Sequence, residues 1–220
     1  DWGYENVLYL WTPPEFIRLS GKDSAVGKTV PAEEELSGNF SFMADARNFY
    51  FLAVVADRTP GEGNNPAAPW KNDSVELFLA SGIRKKDLET KMPLRGHGFQ
   101  IVFDISAGGK PLLLKDGSQI TQSEISYKVR KENVSVNGKP VPGYVLEAAI
   151  PRKLFPGKPE RGSLIAYCIN LNDSASGASL RTNPESTRPA TTIFGYRKAF
   201  LEYEGRESLP VFQFGAIAPD

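Results

Sequence analysis

One cysteine, one histidine and two methionines in 220 residues leave little material for redox, metal or acid–base chemistry, and 26 Lys and Arg against 26 Asp and Glu leave no net charge. Each scarcity excludes something. With Cys168 alone there is no intramolecular disulfide and no zinc site built on several thiolates. That cysteine stands in the apolar run LIAYCINL, where a thiol acts as a small buried hydrophobe. Zero net charge argues against a nucleic-acid partner, because phosphate neutralisation needs a basic face. The one dense basic cluster, Arg84, Lys85 and Lys86, runs directly into Asp87 and Glu89 and reads as a solvated loop. No run approaches the roughly 18 consecutive apolar residues of a membrane span. A Ser-His-Asp or Cys-His catalytic set would have to use His97, which sits in a glycine-flanked RGHGF segment and reads as a surface-loop residue. The chain opens at Asp1 with no Met, as a mature or trimmed chain would after loss of a leader.

What the sequence does have is punctuation. Twenty Gly and 17 Pro separate short runs rich in Val, Ile, Phe and Tyr, the pattern of an all-β protein. Strands are predicted at 40–44, 49–57, 74–80, 99–105, 111–114, 125–130, 134–136, 144–150, 164–171 and 211–214. Turn signals such as ISAGGK, KDGS, VNGKP and PGKPERG lie between them. Helix is expected only in PAEEELS, RKKDLET and the one-turn PRKLFP. The length suits one large domain spanning residues 1–220, because β-sandwiches run to about 250 residues.

Alternation assigns faces. Phe99, Ile101, Phe103 and Ile105 make one apolar side of their strand, with Gln100, Val102 and Asp104 on the other. Ile165, Tyr167, Ile169 and Leu171 repeat the pattern against Ala166, Cys168 and Asn170. Val75, Leu77 and Leu79 point inward, and Ser74, Glu76 and Phe78 outward. Residues 49–56 are apolar on both faces, as a central strand covered on both sides would be. The expected fold class is an all-β, two-sheet antiparallel β-sandwich with little helix, one of whose outer surfaces carries amide and small polar side chains.

Several segments then occur in a telling order: RNFYFLAVVADRTP ending a strand in Asp57, WKNDSVELFL from Trp70 to Leu79, GYVLEAAIPRKLF from Gly143 to Phe155, and GSLIAYCINLNDS from Gly162 to Ser174. This order resembles the family 9 carbohydrate-binding modules and their relatives in the wider DOMON-like group. The resemblance covers Glu35 to Asp173, and the Trp-x-x-Asp-Ser-Val-Glu spacing is its most specific piece. It implies a non-catalytic module that recognises a glycan, exported to the cell surface, the periplasm or the medium, and working as an accessory to a glycoside hydrolase. In such modules the Trp matching Trp70 stacks on the sugar, the Glu matching Glu76 bonds to its hydroxyls, and the Asn matching Asn172 lies near the ligand.

The chemistry of the ligand agrees with those residue types. A sugar ring offers an apolar C–H face and a fringe of hydroxyls, which call for an aromatic plate flanked by carboxylates and amides. Trp70 and Glu76 are an even number apart, so they would share a face if the strand ran back to Trp70. Gln100 has the same outward parity and joins the candidates by alternation. One feature departs from the family pattern: relatives close the slot with a second Trp just after the Asn-Asp pair, and here no aromatic follows Asp173 before Phe194.

Other readings stay open. Some relatives hold structural calcium, for which Asp57 and Asp73 are candidate ligands. The DOMON-like group also contains haem carriers, for which Met92 and His97 would be the axial pair. A glycosidase would need two carboxylates, such as Glu76 with Glu147 or Asp104. A domain with no ligand, serving as an adhesive or spacer piece, is the third alternative.

Overall fold

The computed structural model describes residues 8–9, 17–19, 32–45, 47–83, 98–106, 110–115, 118–120, 124–157, 164–175, 178–181 and 211–213. Its strands are β1 (Leu8–Tyr9), β2 (Ile17–Leu19), β3 (Leu36–Ala44), β4 (Asn48–Asp57), β5 (Ser74–Ile83), β6 (Gly98–Asp104), β7 (Leu112–Lys115) and β8 (Ser118–Ile120). They continue with β9 (Ser126–Lys131), β10 (Val134–Val136), β11 (Lys139–Val141), β12 (Gly143–Pro151), β13 (Leu164–Asp173), β14 (Ala178–Arg181) and β15 (Val211–Gln213). Among the described residues these form a separate two-stranded sheet, β10-β11, and two large antiparallel sheets. One runs β1-β3-β4-β12-β9 with β2 also on β3; the other runs β14-β13-β5-β6-β7-β8 with β15 also on β13.

The expected sandwich is present, and its core obeys the alternation. Val75, Leu77 and Leu79 of β5, Phe99, Ile101 and Phe103 of β6, and Ile165, Tyr167, Ile169 and Leu171 of β13 face Phe40, Phe42, Phe49, Phe51, Leu146 and Ile150 of the other sheet in one cluster. Aromatic rings bridge the layers: Phe51 of β4 stacks on Phe103 of β6 at 6.2 Å, and Phe42 of β3 meets Tyr167 of β13 edge-on at 5.2 Å. Most of the chain's described aromatics are therefore core.

The two-sided apolar reading of β4 has a structural cause. The strand lies between β3 and β12, and its outer residues Leu52, Val54 and Ala56 pack with Val134, Val136, Val141 and Val145. That second, small cluster is made by the β10–β11 hairpin. Its turn is Asn137-Gly138 with φ of 52° and 78°, the doubly left-handed geometry of the tight hairpin turn that Asn-Gly favours.

Local expectations fail in two places. PAEEELS forms a turn over Glu33–Glu35 and then enters β3 at Leu36, because Leu36 is needed in the core. PRKLFP does give one turn, Arg152–Leu154, but it is 3-10 and Pro151 precedes it as the last residue of β12. RKKDLET lies outside the described residues.

Candidate carbohydrate-binding surface

On the outer face of the seven-stranded sheet, antiparallel register sets Asn170 opposite Glu76 and Asn172 opposite Ser74, with Gln100 on the next strand. Opposed residues share a face, so five polar side chains line up on the side away from the core. They are not solvated. Glu76 is 5% exposed, Gln100 3%, and Ser74 and Asn170 are fully buried, while Asn172 is half-buried.

Burying a carboxylate demands hydrogen bonds, and the amides supply them. Gln100 Nε2 donates to Glu76 Oε2 at 2.6 Å. Asn172 Nδ2 donates to Glu76 Oε1 at 2.8 Å and to Ser74 Oγ at 3.1 Å, and Asn170 Nδ2 reaches the same Oε1 at 3.3 Å. Glu76 is thus held on both carboxylate oxygens by amides. The neighbours on this face, Phe78 and Val102, are buried yet stand outside the main core cluster.

Trp70 stands not on the strand its spacing suggests but on a turn that packs against β5, β6 and β13. The strand begins at Ser74, and Trp70 sits in a 3-10 turn, Pro69–Lys71, so the even spacing to Glu76 carries no shared strand face. Proline is the reason: Pro69 lacks an N–H and has a fixed φ, which suits the first position of a turn rather than a ladder. Pro69 is buried and anchors the turn, while Trp70 is 40% exposed. Among the described residues no aromatic ring packs against it.

Asn170 is the residue that sequence reasoning passed over. Its outward parity was readable, but neither the motif nor the spacing distinguished it from Ala166 and Cys168. Glu147 resolves differently. It lies on β12 between Leu146 and Ala148, both in the core, so it projects from the outer face of the other sheet. Glu76 and Glu147 therefore cannot flank one glycosidic bond. Asp104 accepts from Asn72 Nδ2 at 2.7 Å on Oδ2 and from the Ser106 amide and hydroxyl at 2.8 and 2.6 Å on Oδ1, a structural role at the end of β6.

Beside the row, where both sheets end, Asp57, Asp73 and Asp173 are all buried. Burial, then the charge of Asp73, pushes the Asp57 carboxyl up to about 7, and the charges of Asp173 and Glu62 add to it. Burial also raises Asp73, against the backbone amides of Ser174 and Glu62, which donate to its two oxygens. Among the described residues, no three His, Cys, Asp or Glu side chains group so as to hold a metal ion. Met92 and His97, the residues of the haem reading, lie outside the described residues. No helix among the described residues is long and apolar enough to cross a membrane.

Comparison with solved structures returns a family 9 carbohydrate-binding module from Caldicellulosiruptor kristjanssonii in complex with cellotriose: 19% identity, TM-score 0.46, covering 73% of this chain and 71% of that one. A module of the same family and organism in complex with glucose matches at 17% identity and TM-score 0.46, covering 74% and 73%. A putative carbohydrate-binding protein from Bacteroides uniformis matches at 12% and 0.44, covering 66% and 68%. No curated protein matches the chain. The decisive comparison is with family models: the one described as carbohydrate family 9 binding domain-like matches residues 19–195, and the chain belongs to that family.

Proposed function

We propose that this protein is a non-catalytic glycan-binding module whose site is the outer face of the seven-stranded sheet. Trp70 supplies the plate for a sugar's C–H face, and Glu76, Gln100 and Asn172 meet its hydroxyls. The observation that carries the reading is the buried Glu76 carboxylate held on both oxygens by Gln100 and Asn172. A carboxylate fixed by amides is a preorganised acceptor for a vicinal pair of hydroxyls, and preorganisation is what makes a few hydrogen bonds worth binding energy in water. Asn172, being half-buried, is the member of the row best placed to exchange its bond to Ser74 for one to the ligand.

Zero net charge suits this task. A neutral ligand is recognised by shape and directed hydrogen bonds, so no long-range field is needed to hold it. With Trp70 as the one plate among the described residues, the site grips the end or edge of a glycan. In its biological setting the module is exported and delivers a glycan-acting enzyme to its substrate.

The test is a titration with glucose, cellotriose and a panel of other mono- and oligosaccharides, followed by tryptophan fluorescence and calorimetry. Binding is expected for at least one sugar, and Trp70→Ala should weaken it about a hundredfold without shifting the thermal midpoint, because Trp is enriched among binding hot spots and this one is exposed. A panel that never perturbs the protein would overturn the reading and leave a spacer domain.

A further inference from the structure

The plate and the polar row come from different elements, a 3-10 turn and three strands, and something must hold them in register. Asn72 stands between them. It is 1% exposed and closes the Trp70 turn, its backbone N–H donating to Pro69 O at 3.1 Å. Its side chain has three further bonds. Oδ1 accepts from Asn65 N at 2.9 Å, and Nδ2 donates to Asp104 Oδ2 at 2.7 Å and, more weakly, to Asn65 O at 3.4 Å. Asp104 ends β6, the strand that carries Gln100.

The fit leaves no slack. Gly63 has φ of 97°, and a Cβ built there would lie 2.6 Å from Asn72 Oδ1 and 2.7 Å from its Cα, so the loop before the turn lies directly on Asn72. Asn65 Oδ1 accepts from Ala68 N at 3.0 Å, which carries the same constraint to the residue preceding Pro69.

We infer that Asn72 is the positioning residue of the site: its amide ties the Trp70 turn to Asp104, and so sets the aromatic plate against the row led by Gln100 and Glu76. The inference rests on the glycan-binding reading for its consequence, though not for its geometry. The bond is directional, since the donor is on residue 72 and the acceptor on residue 104. Asn72→Asp opposes two carboxylates, Asp104→Asn opposes two amides, and the double exchange recreates one donor and one acceptor with the polarity reversed.

The experiment uses the full chain with Trp2→Phe and Trp11→Phe, so that Trp70 is the sole indole. Two quantities are read for each variant, the fluorescence anisotropy of Trp70 without sugar and the calorimetric Kd for the best sugar of the panel. Asn72→Asp should lower the anisotropy and weaken binding about tenfold, a loss of one charge-assisted bond. The double variant Asn72→Asp with Asp104→Asn should return both to near the parent. Should the single variant fail to fold, recovery of fold, anisotropy and binding in the double variant supports the role. Anisotropy and Kd unmoved in a folded single variant, or no recovery in the double variant, overturns it. A parent that binds no sugar removes the proposed function, and the anisotropy arm then decides the positioning role by itself.

Discussion

On the outer face of the six-stranded sheet, Leu52, Val54 and Val145 are covered by Val134, Val136 and Val141 of a hairpin that folds over them. At comparable central places on the other sheet the residues are Glu76, Gln100, Asn170 and Asn172, bonded to one another. Both faces are sheltered from water, but by unlike means. The first gains about 25 cal/mol for each Å² of apolar surface it buries, with no directional demand. The second buries polar groups whose desolvation is offset only if every bond is made, so its net contribution to folding is small. A protein keeps a polar arrangement of that kind where apolar packing would not do the job, which is the physical argument for placing recognition on the second face and stability on the first.

The comparison breaks most sharply at Glu76. Glu76→Ala removes the common acceptor of Gln100, Asn170 and Asn172. Sugar binding should vanish, and stability should fall by about 4 kcal/mol, three lost bonds to a charged acceptor at about 1.5 kcal/mol each. Chemical denaturation and calorimetry read the two effects separately. If the variant binds as tightly as the parent, the row is a structural network and no site.

The opposite separation is expected at Gly143. A Cβ there would lie 2.1 Å from Val55 O and 2.9 Å from Val134, the strand pairing and the hairpin cover at once. Gly143→Ala should therefore cost about 3 kcal/mol through forced backbone movement, while Kd measured well below the unfolding transition stays at the parent value. A changed Kd would mean that the two faces are coupled through the core.

How much of this could be read from residues alone follows from the same contrast. Period-two alternation is a local property, so it assigned Val75, Leu77, Leu79, Phe103 and Ile169 to the core and left Glu76, Gln100 and Asn170 outside it, as the structure has them. It could not say what covers an outward face. Leu52 and Val54 looked doubly buried because their cover, a hairpin about 80 residues later, is itself apolar. The bonding of Glu76 left no trace for the opposite reason: its partner Asn170 is 94 residues away, and an amide facing a carboxylate leaves no mark in either strand. Trp70 failed on a smaller scale. Parity does not carry from Glu76 back into the 3-10 turn Pro69–Lys71, where the chain is not extended. The clamp at Asn72 joins residues 32 apart and was beyond any motif. Strands of two or three residues such as β1, β2 and β8 are too short to show a period at all.

The subtlest test lies where the two sheets meet, at the carboxyls of Asp57, Asp73 and Asp173. Asp57 ends β4 of the six-stranded sheet, and Asp173 ends β13 of the seven-stranded sheet. Burial and the Asp73 charge raise the Asp57 carboxyl to about 7. An acid whose folded-state value lies above its unfolded value of 3.8 binds more protons folded than unfolded between the two. Stability therefore declines as pH rises through that window and levels off above about 7, the reverse of the usual carboxylate behaviour. Asp45 supplies the contrary case. Burial alone would raise it, but the amides of Asn48 and Arg47, the Tyr50 hydroxyl and the Arg152 charge outweigh that and hold it below 3.8, so its stabilisation is lost only as pH falls through its lowered value. Asp57→Asn keeps an oxygen to accept from Thr59 N and removes the titrating charge. The variant should lose most of the decline, gaining about 2 kcal/mol over the parent at pH 8 relative to pH 5, since each tenfold change in proton affinity between the folded and unfolded chain is worth about 1.4 kcal/mol. Denaturation midpoints of parent and variant across that range decide it. Parallel curves would show that Asp57 is ionised throughout, and that the corner where the two sheets join tolerates its three charges.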